Sequence, residues 1–326
     1  MHSVVILTSK ILVYEDIERI VIVSSDPAQL LKDLVPEKEH LVAIDSDGCA
    51  FDAMGIKQGE CFCPMMIAYF DLQPVAEAAR QCKQFADLFS KTRGANRHKT
   101  IVRILTELLP SHPQVKERGF AVPRFKYYCD WVNDPASLLS DSGLQQAIDK
   151  ASSDGARSEL ERVMTWSKRV NEMIAEVCKG VPPFPFVRES IAQASEKADV
   201  IVCSATPGEA LEREWAEHDL AQYVKVIAGQ EMGKKQDHLA ILSTGKYAKE
   251  KIIMLGDAPG DHEAAKANNL SFYPINPGAE AQSWKNFHDE AFDKFLDGSY
   301  AGPYEDELIA AFEKCLSESP PWLDGV

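Results

Sequence analysis

Leu41, Val42, Ala43 and Ile44 form an unbroken apolar run that stops at Asp45, with Asp47 and Gly48 close behind. An apolar run without alternation is the pattern of a strand buried on both faces, as in a parallel sheet. Similar runs return late in the chain, predicting strands at 200–204, 224–228, 252–255 and 271–275. Between them the apolar spacing changes to three and four, predicting helices at 187–197, 209–217, 236–242 and 262–268. Repeated strand–helix units predict an α/β fold built on a doubly wound parallel sheet.

The strand pattern is absent from the long stretch between. Residues 60–72, 74–90, 98–109, 134–150 and 154–178 read as helices, and Gly180 with Pro182, Pro183 and Pro185 ends the series. A helical block with Gly- or Pro-bearing segments at both ends reads as an insertion, with hinges near 53–59 and 180–185. This divides the chain into a core of 1–53 and 184–326 and an α-helical domain of 54–183. Within the core, 1–40 is an N-terminal extension with β-rich pieces at 4–7, 11–14 and 20–24. Asp26-Pro27 then opens a short helix, and 283–326 is a helical tail.

Charge narrows the function. Lys and Arg number 35 against 50 Asp and Glu, a net charge of −15. Such a chain gains little from nucleic acid or an anionic membrane, so neither is expected as a partner. The eight cysteines lack paired zinc-ligand spacing and read as free thiols. No apolar run reaches membrane-spanning length and no signal peptide is evident, which predicts a cytoplasmic protein.

Four loops carry chemistry, each at or after the carboxyl end of a predicted strand: Asp45-Ser46-Asp47-Gly48, Ser204-Ala205-Thr206, Gly233-Lys234-Lys235, and the loop from Gly256 to Asp261. In a parallel sheet those ends share one edge, so the loops converge. Four carboxylates meeting a hydroxyl and a lysine would repel one another unless a cation sat among them. Hard oxygen donors suit Mg²⁺, which keeps waters and accepts a phosphate oxygen.

The ordered set D-x-D-G, strand-end Ser, Lys and G-D-x-x-x-D resembles the haloacid dehalogenase superfamily of phosphohydrolases. The likeness covers 41–52 and about 184–275, and the helical block stands where that superfamily inserts a cap domain. The resemblance implies a Rossmann-like core and a Mg²⁺-dependent phosphomonoesterase acting on a small phosphorylated metabolite. In that scheme Asp45 attacks phosphorus, giving an aspartyl-phosphate. Asp47 protonates the leaving oxygen and then activates water. Ser204 binds a phosphoryl oxygen and Lys235 neutralises charge. Asp45, Asp47, Asp257 and Asp261 form the metal set, Asp47 through its backbone carbonyl. Lys234 is adjacent to Lys235, and the K-x-x-H spacing to His238 favours Lys235. Cys49 stands where the family most often has Thr or Val.

A basic cluster around Gly94 stands out in so acidic a chain. Arg93 and Arg97, with Lys57 as a weaker candidate, are expected to hold an anionic part of the substrate. The aromatic residues 125–128 with Trp131 read as core of the helical block. Asp47 argues against C–halogen cleavage and against phosphonate hydrolysis, which would need a Schiff-base lysine such as Lys57. A phosphosugar mutase of the β-phosphoglucomutase type keeps the same core motifs and is the alternative. A non-catalytic phospho-acceptor fits less well, since it would lack the inserted helices.

Overall fold

The computed structural model describes residues 26–323; the β-rich pieces expected at 4–24 lie outside the described residues. Five parallel strands, β1 (His40–Ile44), β2 (Ala198–Cys203), β3 (Val226–Ala228), β4 (Ile252–Gly256) and β5 (Ser271–Pro274), form one sheet in the order β3-β2-β1-β4-β5. The chain winds outward one way from β1 through β2 to β3 and the other way through β4 to β5. That reversal makes the sheet doubly wound and puts β1 at the switch point, where ligands bind in such folds. Ile44 pairs with Val202 on one side and Leu255 on the other, so the loops after β1, β2 and β4 start level with one another.

Period-two alternation sorts each strand between two cores. Val42, Ile44, Val200, Val202, Ile253 and Leu255 face a layer that includes Ile191, Leu211, Trp215 and Trp284. Leu41, Ala43, Ile201, Cys203, Ile252 and Met254 face the opposite layer, with Leu239, Leu242, Ala264 and Phe312. Both faces are covered, which is why these strands lack polar alternation. Burying a Val, Leu or Ile contributes about 1.5–3 kcal/mol each, so the two layers hold the strand ends in register.

The strand-free stretch between β1 and β2 carries only helices, and residues from Phe62 to Val170 pack around a hydrophobic cluster of their own, which includes Phe70, Tyr128 and Trp166. The aromatic segment belongs to this cluster: Tyr128 and Trp131 are buried on the helix Lys126–Asn133. Two expectations differ. The segment 53–59, read as a hinge from Gly55 and Gly59, is helical, passing from Ala53–Ile56 into a wide π-type turn at Lys57–Phe62. The helix expected at 134–150 starts only at Asp141, where the Ser140 side chain accepts from the Gly143 N–H and caps it. Among the described residues no helix is long and apolar enough to cross a membrane.

The helical tail is split. Trp284 is buried and donates from Nε1 to the Cys49 carbonyl at 2.8 Å, roofing the loop after β1. The helix Pro303–Cys315 packs beside β5, and residues 317–322 then cross onto the helical block.

Candidate active site

Asp45 follows the last residue of β1, and its N–H donates to the Leu255 carbonyl at 3.0 Å. It is therefore fixed by the sheet. Its neighbour Ser46 turns the chain: the Ser46 N–H donates to Asp45 Oδ1 at 2.8 Å, and the Ser46 carbonyl accepts from Phe51 at 3.0 Å. Gly48 completes the turn at φ +81°, a conformation natural to glycine. A Cβ there would meet Asp257 Oδ2 at 2.7 Å and Arg93 Nη2 at 2.8 Å, so the position has no room for a side chain.

Asp45, Asp257 and Asp261 come together as a buried group, each offering a carboxylate oxygen within 4.8 Å of the others. The Gly256 position explains how Asp261 gets so close: a Cβ at Gly256 would lie 2.3 Å from that of Asp261. Asp261 sits in the first turn of the helix Pro259–Asn268, and its Oδ2 accepts from the N–H groups of Asp257 and Ala258 at 3.2 and 3.1 Å. Lys235 bridges the group, with Nζ 2.7 Å from Asp45 Oδ2 and 2.5 Å from Asp261 Oδ1. Lys234 is exposed, so it is Lys235 that reaches the acids.

The electrostatics follow from burial. Loss of water pushes Asp45 up from the ordinary carboxylate range; Lys235 opposes this, while Asp261 and Asp257 add to it. Asp257 is raised for the same main reason, with Arg93 opposing. Burial works against the Lys235 ammonium, but Asp261 and Asp45 outweigh it and hold the lysine protonated. Asp257 Oδ1 is buried with no hydrogen-bond partner. An orphaned carboxylate oxygen facing a set of hard oxygen donors fits a divalent cation such as Mg²⁺.

Two expected placements change. Asp47, named for the metal set through its backbone carbonyl, was expected to bring its carboxylate among the other acids, but that carboxylate lies outside the buried group of Asp45, Asp257 and Asp261. Its Oδ2 instead accepts from Lys57 Nζ at 2.5 Å and Thr206 Oγ1 at 2.8 Å. The physical reason is the turn that starts at Ser46 and is completed at Gly48, which carries Asp47 away from the sheet end and toward Lys57 of the helical block. Arg93, expected on the substrate, is instead buried against Asp257 Oδ2, with Nε at 2.8 Å and Nη2 at 2.6 Å. Ser204 is buried at the end of β2, its N–H donating to the Ala228 carbonyl and its hydroxyl accepting from the Thr206 N–H at 3.3 Å.

A cleft of about 570 Å³ opens where the helical block meets the sheet edge, lined by Asp47, Lys57, Arg97, Asn171, Thr206 and Glu214 among others. Burial works against the Lys57 charge, yet Asp47 and then Glu214 carry it above the usual lysine value. Arg97 donates to Asn171 Oδ1 at 2.8 Å and Ser167 Oγ at 3.2 Å and lies over the Phe62 ring at 4.9 Å. Among the described residues no carboxylate is ion-paired to it, although burial works against its charge.

Glu214 and Thr206 were not singled out from the sequence for roles of their own. Glu214 lies on the helix Gly208–Glu217 and accepts from Ser46 Oγ at 3.1 Å; Trp215 Nε1 donates to the same hydroxyl at 3.0 Å. Burial, reinforced by Asp47, pushes Glu214 up to about 7. Its folded value exceeds the unfolded 4.5, so the native state holds the proton longer and stability falls as pH rises from 4.5 through 7. Glu214→Gln removes that cost: the variant should be more stable than wild type by roughly 1–3 kcal/mol at pH 8 and nearly equal at pH 4. Urea unfolding at the two pH values checks this.

No protein-family profile matches the sequence, and no curated protein matches it. Solved structures do resemble it. One is a haloacid dehalogenase-like family hydrolase from Streptococcus pneumoniae, 14% identical, covering 76% of this chain and 90% of that one at a TM-score of 0.38. Another is a haloacid dehalogenase-superfamily hydrolase of subfamily IA from Geobacter sulfurreducens, 13% identical, covering 77% and 90% at 0.34. A third, a haloacid dehalogenase-like family hydrolase from Xanthomonas campestris, is 14% identical and covers 74% and 83% at 0.36. At such identities and TM-scores these likenesses add no weight to a function, which rests on the residues at the end of the sheet.

Proposed function

We propose that the protein is a Mg²⁺-dependent phosphomonoester hydrolase of the haloacid dehalogenase type, acting on a small phosphorylated metabolite through an aspartyl-phosphate. The observation that carries this reading is the Lys235 bridge between Asp45 and Asp261 beside the unpartnered Asp257 Oδ1. It supports Asp45 as a carboxylate nucleophile with Lys235 as its counter-cation and Asp257 Oδ1 as an open metal ligand, all near the switch point of one sheet.

Mg²⁺ would be held by Asp45 and Asp257, supported by Asp261 and the Asp47 backbone carbonyl, and would neutralise charge on the transferring phosphoryl group. Asp45 supplies the attacking oxygen, and Lys235 lowers the charge repulsion between that carboxylate and a phosphate. Asp47 has both its donors on Oδ2, leaving Oδ1 buried and unpartnered. That oxygen is suited to carry a proton to the leaving group and to take one from water. Ser204 contributes its hydroxyl to the phosphoryl oxygens. The helical block, residues 54–183, acts as a cap over a core of 1–53 and 184–326 and shields the phosphoryl group from bulk water.

A cleft of about 570 Å³ suits a small metabolite. Arg97, a largely desolvated guanidinium that makes no direct ion pair among the described residues and feels only Asp141 from beyond Ser167, is suited to receive a second anionic group of that substrate. Arg97→Ala should raise KM on the true substrate about tenfold or more with kcat little changed, the signature of lost ground-state binding; steady-state kinetics decide it. Phosphonate hydrolysis is disfavoured, because Lys57 is protonated and ion-paired where a Schiff-base lysine must be neutral. The test of function is Mg²⁺-dependent phosphate release from a panel of phosphate esters beginning with p-nitrophenyl phosphate. No release from any ester would reject the reading, and an isomerised sugar phosphate in place of free phosphate would turn it to the mutase.

A further inference from the structure

The Arg93–Asp257 pair joins the helical block to the acidic end of the sheet, and nothing in the reaction scheme above uses it. Arg93 stands just past the helix Ala76–Leu88, and its side chain is 4% exposed. Two of its nitrogens close on a single oxygen, Asp257 Oδ2, while Nη1 donates to the Leu88 carbonyl at 2.9 Å. The other oxygen, Oδ1, is left buried and bare. Within the group Asp45, Asp257 and Asp261, the guanidinium therefore sits against the carboxylate whose other oxygen is buried and unpartnered.

The loop bearing Arg93 is pinned from the far end of the chain. The Ser317 N–H donates to the Phe89 carbonyl at 3.1 Å, and the Lys91 N–H donates to the Ser317 carbonyl at 3.2 Å. Arg103 donates to Ser90 Oγ at 3.0 Å, to Thr92 Oγ1 at 2.7 Å and to the Glu318 carbonyl at 3.3 Å, tying loop and tail together. Trp322 anchors the tail on the helical block, with its ring 4.8 Å from His112 and 5.8 Å from Phe85. The segment 317–322 is a strap across the two halves of the molecule.

We propose that Arg93 is a built-in counter-cation for Asp257, opposing the entry of a divalent metal ion, and that the C-terminal strap holds it in place. The proposal rests on reading Asp45, Asp257 and Asp261 as the metal site. Without metal, Arg93 and Lys235 stand against three buried acids and offset two of their three charges. A divalent ion reaching Asp257 meets a fixed positive charge a few ångströms away in a region of weak screening. Metal entry is therefore coupled to withdrawal of the 90–93 loop, and loosening the strap favours both.

Mn²⁺ serves as the probe, because its free ion gives a resonance signal that bound ion loses. Titrations of the full chain as wild type, Arg93→Met, Trp322→Ala and Asp257→Asn measure affinity without any turnover. Arg93→Met should bind Mn²⁺ at least about tenfold tighter than wild type, since a competing charge is gone. Trp322→Ala, remote from the acids, should shift affinity the same way by about threefold. It also serves if Arg93→Met folds poorly without metal. Unchanged or weaker binding in both variants overturns the proposal. A tighter Arg93→Met beside an unchanged Trp322→Ala removes the strap from it. Failure of every protein to bind Mn²⁺, with wild type no different from Asp257→Asn, would overturn the metal site and the proposal with it. Equal, Asp257-dependent binding in wild type and the other two variants would leave the metal site standing and overturn only the proposal about Arg93 and the strap.

Discussion

Asp45→Asn should abolish phosphatase turnover, lowering kcat by at least about 10³-fold while leaving the fold intact. The loss is expected to be large because no other carboxylate can stand in. Asp257 and Asp261 are held by Arg93 and by backbone N–H groups, and Asp47 points to Lys57 and Thr206. An amide keeps the size of the side chain and can still accept from the Ser46 N–H, as Asp45 Oδ1 does now. It removes a buried acid that burial, Asp261 and Asp257 push up. Thermal unfolding should therefore show the variant no less stable than wild type, which separates a chemical loss from a folding loss.

Lys235→Met should be costly in both respects. Its Nζ neutralises Asp45 and Asp261 together, at a side-chain exposure of 16%. Removing one partner of a buried ionic network costs about 3–5 kcal/mol, because the remaining charges lie stranded away from water. The sign with pH follows from Asp45. Without the lysine its folded pKa rises further above the unfolded 3.8, so it costs stability as pH climbs past that value. The deficit should be smaller at pH 5, where Asp45 can take up a proton, than at pH 8. Activity should fall by about 10²–10³-fold in kcat through lost charge neutralisation. Denaturant unfolding at the two pH values and steady-state kinetics check the two halves. A deficit independent of pH would show that the lysine packs rather than neutralises.

The core was legible because its physics is local. A strand covered on both faces must be apolar throughout, so β1, β2, β4 and β5 announce themselves, and the acids that end β1 and follow β4 stand out by contrast. β3 is three residues long with two of them only partly buried, and its extent was overread as 224–228. Spacing alone favoured Lys235 over Lys234, and the contacts of Lys235 with Asp45 and Asp261 come from how the helix Lys235–Ser243 lies, which spacing does not show. The partners across the cleft carried no local signal. Glu214 is one of several acids on an amphipathic helix, and nothing in that helix says which one faces Ser46, 168 residues earlier. Arg93 read as substrate-binding because its charge was unusual in its neighbourhood, whereas its partner Asp257 lies 164 residues away. Trp322 likewise gave no hint that the tail returns to the helical block.

The central claim is that Asp45 becomes phosphorylated during turnover. Wild-type protein turning over p-nitrophenyl phosphate with Mg²⁺ can be quenched in acid, reduced with borohydride and read by peptide sequencing in a mass spectrometer. An aspartyl-phosphate reduces to homoserine, so the account predicts homoserine at position 45 and at no other aspartate. Steady hydrolysis of the ester with residue 45 recovered as unmodified aspartate, or with homoserine at Asp47, Asp257 or Asp261, would contradict it.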